Sequence, residues 1–440
     1  MECVKIGLLV LLALFAGQTE SATDTKVVCY YDSQAYNRPG NGKFDLNFLD
    51  PALQFCTHLI YGYAGIKEEN FNIAPLDESL DINKQNYKHI VELKRRFPGL
   101  RVLLSVGGNR DVSGEGSEKN LKYRTLLESV ETRLAFINSA HNLVKTYGFD
   151  GLDLAWEFPE TKPRKIRNKI CKFRSPLANI CLTHLPALAS WFVNLKHKIA
   201  GESITDEKAE EHKEQFIALV REFKNAFRHD GILLTLSQLP NVNGTVYYDP
   251  RQIAPNVDFV TSTTATQLAT PKSSTIQARS MSFQLNQGLP ANKLLLGIPT
   301  YGRAWKLNED SGFTGVPPVA ADGAADPGPY SNEAGLLSYP EICNKIANQK
   351  EIKAGYLGKL RKVNDPTKRY GTYAYRLPDQ NGENGIWVGF EDPDTVGNKA
   401  AYAKAKGLGG IAVLDITLDD FRGTCVSDNF PLLRAAKYRL

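Results

Sequence analysis

Beyond its first 22 residues the chain has no apolar run long enough to cross a bilayer, so membrane insertion is not expected. Its seven histidines are scattered, none at ligand spacing with another, which argues against a metal centre. A strong charge of either sign is also missing. With 53 Lys and Arg against 48 Asp and Glu, the net charge of +5 gives no reason to expect a nucleic-acid partner. Leu104-Ser105-Val106 lacks the flanking glycines of a serine-nucleophile elbow. No repeat or low-complexity tract breaks the chain, and no cofactor is expected.

What is present begins with a leader. Met1 to Lys5 is short and carries a lysine, Ile6 to Ala16 is apolar, and the chain turns small and polar by Ala22. This is the layout of a secretory signal peptide over residues 1–22, so a secreted, extracellular product of about 420 residues is expected. Cys3 leaves with it. Six cysteines remain (Cys29, Cys56, Cys171, Cys181, Cys343 and Cys425), and an even number in an oxidising compartment favours disulfides without fixing their pairing. Asn243-Gly244-Thr245 is an N-glycosylation acceptor.

Short apolar runs at Val27–Tyr31, Thr57–Ala64, Arg101–Val106, Ile232–Leu239, Val257–Thr263, Leu294–Thr300 and Gly410–Asp415 read as buried strands. Helical spacing appears between Lys84 and Phe97, again through Phe136, Ile137, Ala140, Leu143, Val144 and Tyr147 up to Gly148, and from Asp206 to Phe227. With the strand at Gly151 the apolar runs number eight, most of them separated by helical segments. That alternation predicts a closed (β/α)8 TIM barrel, an α/β fold. The interval 305–386 is too long for one loop and helix and reads as a small inserted α+β domain, leaving the barrel to 23–304 and 387–440. A basic segment from Lys162 to Arg174 reads as a solvated loop, with contact to an acidic glycan as the alternative.

The chain is organised around Phe149 to Pro159. As a strand, this stretch sends Asp153, Ala155 and Glu157 to one face and Leu152, Leu154 and Trp156 to the other. Buried carboxylates are costly unless hydrogen-bonded, so the acid face should line a cleft or hold a bonded pair.

Asp150-Gly151-Leu152-Asp153-Leu154-Ala155-Trp156-Glu157 resembles the signature strand of the family-18 glycoside hydrolases, the chitinases. Cys56-Thr57-His58-Leu59-Ile60-Tyr61, Leu104 to Gly108, Tyr301-Gly302-Arg303 and Gly407 to Asp415 resemble other strands of that family, so the likeness spans the mature chain. The resemblance implies disulfides Cys29 with Cys56 and Cys343 with Cys425, leaving Cys171 and Cys181 for each other. It makes Glu157 the counterpart of the general acid, but puts Ala155 where a carboxylate should hold the substrate's acetamido nucleophile. On the sixth strand Ala265 and Thr266 replace a Tyr-Asp pair, on the eighth Leu414 replaces a floor tryptophan, and Gln34 and Asn109 replace stacking tryptophans. Each lost electrostatic contact is worth about 2.7–4 kcal/mol of barrier, so no functional catalytic residue is expected and Asp153 and Glu157 are vestigial.

Lys162-Pro163-Arg164-Lys165, Pro240 to Asn243, Asp365 to Arg369 and Asp419 to Cys425 bring the chain nearest to the insect imaginal disc growth factors, whose members often carry Gln at the position of Glu157. That resemblance implies a non-hydrolytic, extracellular growth factor; a monomer that meets a cell-surface receptor is expected. Its implied roles are cell proliferation, development, and cuticle or wound processes. Two alternatives stay open: a lectin-like binder of chitin or another glycan, distinguished by where Tyr301, Trp305 and Trp387 point, and a weak chitinase using Glu157.

Overall fold

The computed structural model describes residues 25–114, 119–159, 162–163, 202–203, 206–240, 242–262, 284–311, 315, 319–347, 360–364, 372–378 and 385–440. Eight strands pair in parallel and close on themselves. They are β1 (Lys26–Asp32), β2 (His58–Ile66), β3 (Arg101–Gly107), β4 (Gly151–Ala155), β5 (Leu233–Gln238), β6 (Phe259–Ser262), β7 (Leu294–Pro299) and β8 (Gly410–Leu414). Each pairs with the next, and β8 returns to β1 through the register Val27 to Ile411 and Val28 to Ala412. The predicted barrel is therefore present.

Strand alternation decides the two cores. Val28, Tyr30, Ile60, Leu103, Phe259, Leu295, Ala412 and Leu414 point inward and fill the barrel. Their neighbours Val27, Cys29, Leu59, Tyr61, Val102, Leu104, Leu152, Leu154 and Trp156 point outward. There they meet Phe136, Ile137, Ala140 and Val144 of the helix Val130–Tyr147, and Phe216, Leu219, Val220 and Phe223 of the helix Ala209–Phe227. Trp156 shows why this layer holds: it is fully buried and packs edge-on against Tyr123 and Phe136, worth about 0.5–1.5 kcal/mol per pair beyond the area buried.

Helix ends follow local chemistry. Ser129 caps Val130–Tyr147 by accepting from the backbone of Glu131, and Gly148 ends it at φ +76°, as its sequence position suggested. The stretch predicted as a helix over 84–97 is a helix over Asn86–Glu92 that tightens into a 3-10 turn at Leu93–Arg95. The helix predicted from Asp206 starts at Ala209, because the Asp206 carboxylate turns inward to His212 Nδ1 (2.7 Å) and the Tyr247 hydroxyl (3.1 Å).

After β7 the chain leaves the barrel. Tyr301–Leu307, Ala321–Ala324, Leu336–Ser338, Arg361–Asn364, Thr372–Arg376 and Gly385–Phe390 form an antiparallel sheet, joined by the helix Tyr339–Ala347. Disulfides join Cys29 of β1 to Cys56, and Cys343 of that helix to Cys425 beyond β8. Cys171, Cys181, nearly all of the basic segment, Ala265, Thr266 and residues 1–24 lie outside the described residues.

Candidate functional site

The acid face of β4 enters the barrel. Asp153 is fully buried in a cage of hydroxyls: it accepts from Ser105 Oγ (2.8 Å), Thr235 Oγ1 (2.7 Å) and Ser237 Oγ (2.9 Å). Ser237 is shared with Tyr30, whose hydroxyl lies 2.6 Å away and also donates to Thr261. Burial raises the Asp153 carboxyl above the ordinary range, and the hydroxyl donors pull it back.

Glu157, just beyond β4, is 3% exposed and has both oxygens occupied. Oε1 accepts from the Asn109 N–H (2.6 Å) and Oε2 from Asn120 Nδ2 (2.7 Å). Asn120 is itself fixed, its Oδ1 accepting from the Ser113 N–H and its own N–H donating to the Ser113 carbonyl. Asp153 and Glu157 thus have separate partners and are not the hydrogen-bonded pair expected from their spacing. The reason is depth: Asp153 lies among the strands, whereas Glu157 has passed the barrel's end and meets loops. Burial pushes the Glu157 carboxyl up to about 7, helped by the nearby Asp111 charge and opposed by the Asn109 N–H, Lys119 and Lys122.

The loop after β3 builds that seal, and glycine makes it feasible. Gly107 and Gly108 have φ of +95° and +69°, and Asn109 follows at +63°. A Cβ on Gly107 would sit 2.2 Å from the Ala155 carbonyl oxygen, and one on Gly108 2.0 Å from the Tyr63 ring. Asn109, which stands where a stacking ring is expected in the family, contributes its backbone N–H. Asn120 was invisible to sequence reasoning, since a loop asparagine 37 positions from its partner carries no local signal.

Charged side chains meet across the barrel mouth. Asp32, at the end of β1, is 3% exposed and contacts the Arg110 guanidinium, with Arg38 3.9 Å away. Arg38 also reaches Asp415 at 3.5 Å and donates to Thr417 Oγ1 at 2.8 Å. Arg110 lies 3.9 Å from Glu333 of the inserted segment, so one side chain links the first strand to the inserted domain. Gln34 faces its own loop, accepting from Asn37. Leu414 belongs to the barrel-filling cluster.

The aromatics proposed as sugar contacts are engaged elsewhere. Trp387 is fully buried in the core of the inserted sheet, stacked on Tyr373 at 5.3 Å. Trp305 packs half-buried against Trp387, and Tyr301 carries the Arg303 guanidinium over its ring at 5.2 Å. The Asp419-Asp420 pair is structural. Asp419 is fully buried and accepts from the N–H groups of Leu433 (3.0 Å) and Asp420 (2.8 Å), anchoring the helix Pro431–Arg439, while Asp420 accepts from Thr424. Asn243 is half-exposed and accepts from the Thr245 hydroxyl at 2.7 Å. Among the described residues no three acidic, His or Cys side chains gather as a metal site, and no helix is long and apolar enough to cross a membrane.

This combination of a closed parallel barrel, an antiparallel insertion after the seventh strand and a glutamate at the end of the fourth defines the class. The chain belongs to the glycosyl hydrolases of family 18, which it matches over residues 26–419. Within that family it is a chitinase-like protein of the insect imaginal disc growth factor group. It is 47% identical to Chitinase-like protein Idgf4 of Drosophila melanogaster, over 100% of both chains, and 42% identical to Imaginal disk growth factor 6 of the same species, over 94% of this chain and 93% of the relative. Among solved structures, the Group IV chitinase of Ostrinia furnacalis in complex with allosamidin superposes with a TM-score of 0.70 at 28% identity, covering 94% of this chain and 98% of that one.

Proposed function

We propose that this chain is a secreted, non-hydrolytic growth factor that promotes cell proliferation through a cell-surface receptor. Its settings would be development and cuticle or wound processes. The carrying observation is the state of the acid. Glycoside hydrolysis in this family's manner needs an acid that reaches the glycosidic oxygen and a carboxylate that holds the acetamido nucleophile. Here both oxygens of Glu157 accept from loop donors, and the neighbouring position is the methyl of Ala155, 1% exposed. A carboxyl near pH 7 has the acidity of a general acid, but position comes before acidity.

The names of the relatives support the growth-factor reading, and the disulfides Cys29–Cys56 and Cys343–Cys425 suit an extracellular setting. The burial of Trp387 and the Arg303 guanidinium over the Tyr301 ring weigh against a chitin-binding cleft, because aromatic faces that would stack on sugar rings are buried or covered.

The test is turnover of a fluorogenic chito-oligosaccharide by the purified secreted protein, with Glu157→Gln prepared identically as the blank. Equal rates are expected. A reproducible excess for the wild type would mean that Glu157 escapes its two donors and that another group holds the acetamido.

A further inference from the structure

Three exposed cations stand together on the loops that follow β1, β2 and β8, and none pairs with a carboxylate among the described residues. Lys43 Nζ and Lys84 Nζ each lie 4.1 Å from the centroid of the Tyr36 ring, so they are no more than about 8 Å apart, and Lys84 donates to the Tyr36 hydroxyl at 2.8 Å. Arg422 is tied to the same loop: Nε donates to the Asn41 carbonyl (3.0 Å) and Nη2 to the carbonyl of Lys43 itself (3.2 Å). Its guanidinium lies over Phe48 and Phe421 at 4.6 and 4.9 Å.

The loop carrying Lys43 is held on both sides. Phe44 is fully buried against Tyr31, Phe421 and Phe430, and Gly42 presses so closely on the inserted domain that a Cβ there would lie 2.4 Å from the Tyr330 carbonyl oxygen. The fold therefore fixes like charges side by side without a counter-charge. Other exposed lysines do face an acid, as Lys208 faces Glu128 and Lys145 faces Asp230. The local field is visible in Tyr36, whose hydroxyl is drawn below its ordinary pKa by the Lys84 hydrogen bond and the Lys43 charge.

We infer that Lys43, Lys84 and Arg422 form a binding surface for a sulfated or carboxylated polysaccharide. A chain of repeated anionic groups gains by releasing its own counterions to fixed cations, and it needs neither a groove nor an apolar anchor. The cations already cover the half-buried Tyr36 and Phe48 rings, so the patch offers no stacking platform for bases. This surface depends on neither the state of Glu157 nor a receptor, and it uses no residue of the basic segment Lys162–Arg174.

The experiment uses heparin as the probe, with the full secreted protein. Wild type is expected to be retained on immobilised heparin and eluted by salt. Lys43→Ala with Lys84→Ala should elute at clearly lower salt with an unchanged melting curve, and the slope of log K against log salt should fall by about two. Lys43→Arg with Lys84→Arg should keep the retention, which separates charge from loop damage. Failure of the wild type to be retained overturns the inference. So does an alanine pair that elutes with the wild type while neutralising Lys169 and Lys172 abolishes retention.

Discussion

On the proposed non-hydrolytic reading, Ala155 is the residue at which the family's reaction would be interrupted, and its surroundings give a physical reason to expect that one substitution would not restore it. It is 1% exposed, and its carbonyl accepts from the Gly108 N–H at 3.0 Å, in the same turn that delivers the Asn109 N–H to Glu157. A carboxylate placed there meets no described donor designed for it, and burying it unpaired costs roughly 1–3 kcal/mol or more. Ala155→Asp is therefore expected to lower the melting temperature and to leave chito-oligosaccharide turnover at the level of the Glu157→Gln blank. Activity gained by this change alone would show that the grip of Asn109 and Asn120 on Glu157 is not what silences the acid.

Among the elements, the helix Tyr339–Ala347 has the clearest mechanical role. Cys343 on this helix is bridged to Cys425, 82 residues on, and Glu341 on the same helix accepts from the backbone of Tyr330 (2.7 Å) and Ser338 (2.7 Å). The bridge ties the inserted domain to the turn that Asp420 organises, where the Cys425 N–H donates to its carboxylate. Closing so long a loop restricts the unfolded chain, an effect worth about 2–4 kcal/mol. Cys343→Ser with Cys425→Ser is expected to cost that much in urea denaturation and to expose the inserted domain to limited proteolysis before the barrel. Equal cleavage of both parts would show that the bridge does not hold the two together. Here the motif Asp419 to Cys425, which marked the family resemblance, turns out to be a staple.

At the scale of the whole molecule the buried acids set a direction with pH. Asp81, Glu157 and Asp419 each have a carboxyl pushed up to about 7, chiefly by burial. Asp81 is fully buried in a turn and takes a hydrogen bond from the Tyr61 hydroxyl, while its second oxygen has no described partner. Ordinary carboxyls titrate near 4, so between about pH 4 and 7 the folded chain holds more protons than the unfolded one. The stability these groups contribute is complete below about pH 4 and is lost as pH rises through 7. Asp392 works the other way: its carboxyl is held low, with Lys362 and Thr395 outweighing its burial, and its contribution disappears in stronger acid. Melting temperature is expected to be higher at pH 5 than at pH 8, and Asp81→Asn should flatten that difference. A wild type that melts higher at pH 8 would contradict the sign.

Much of this molecule follows from sequence. Side-chain alternation of period two in β4, and apolar runs such as Leu294–Pro299, fix strands, faces and a barrel, because these are local consequences of strand geometry. Gly148 ends its helix for an equally local reason. The absence of a carboxylate at Ala155 needed no structure to see. The sealing of Glu157 by Asn120, the bridge from Asp32 through Arg110 toward Glu333, and the burial of Trp387 were decided only by tertiary structure. Each joins residues tens to hundreds of positions apart, and the physical reason is the same in all three. A hydrogen bond or ion pair across loops leaves no periodicity in the chain, and whether an aromatic ring faces solvent or a core depends on which strands the fold lays beside it.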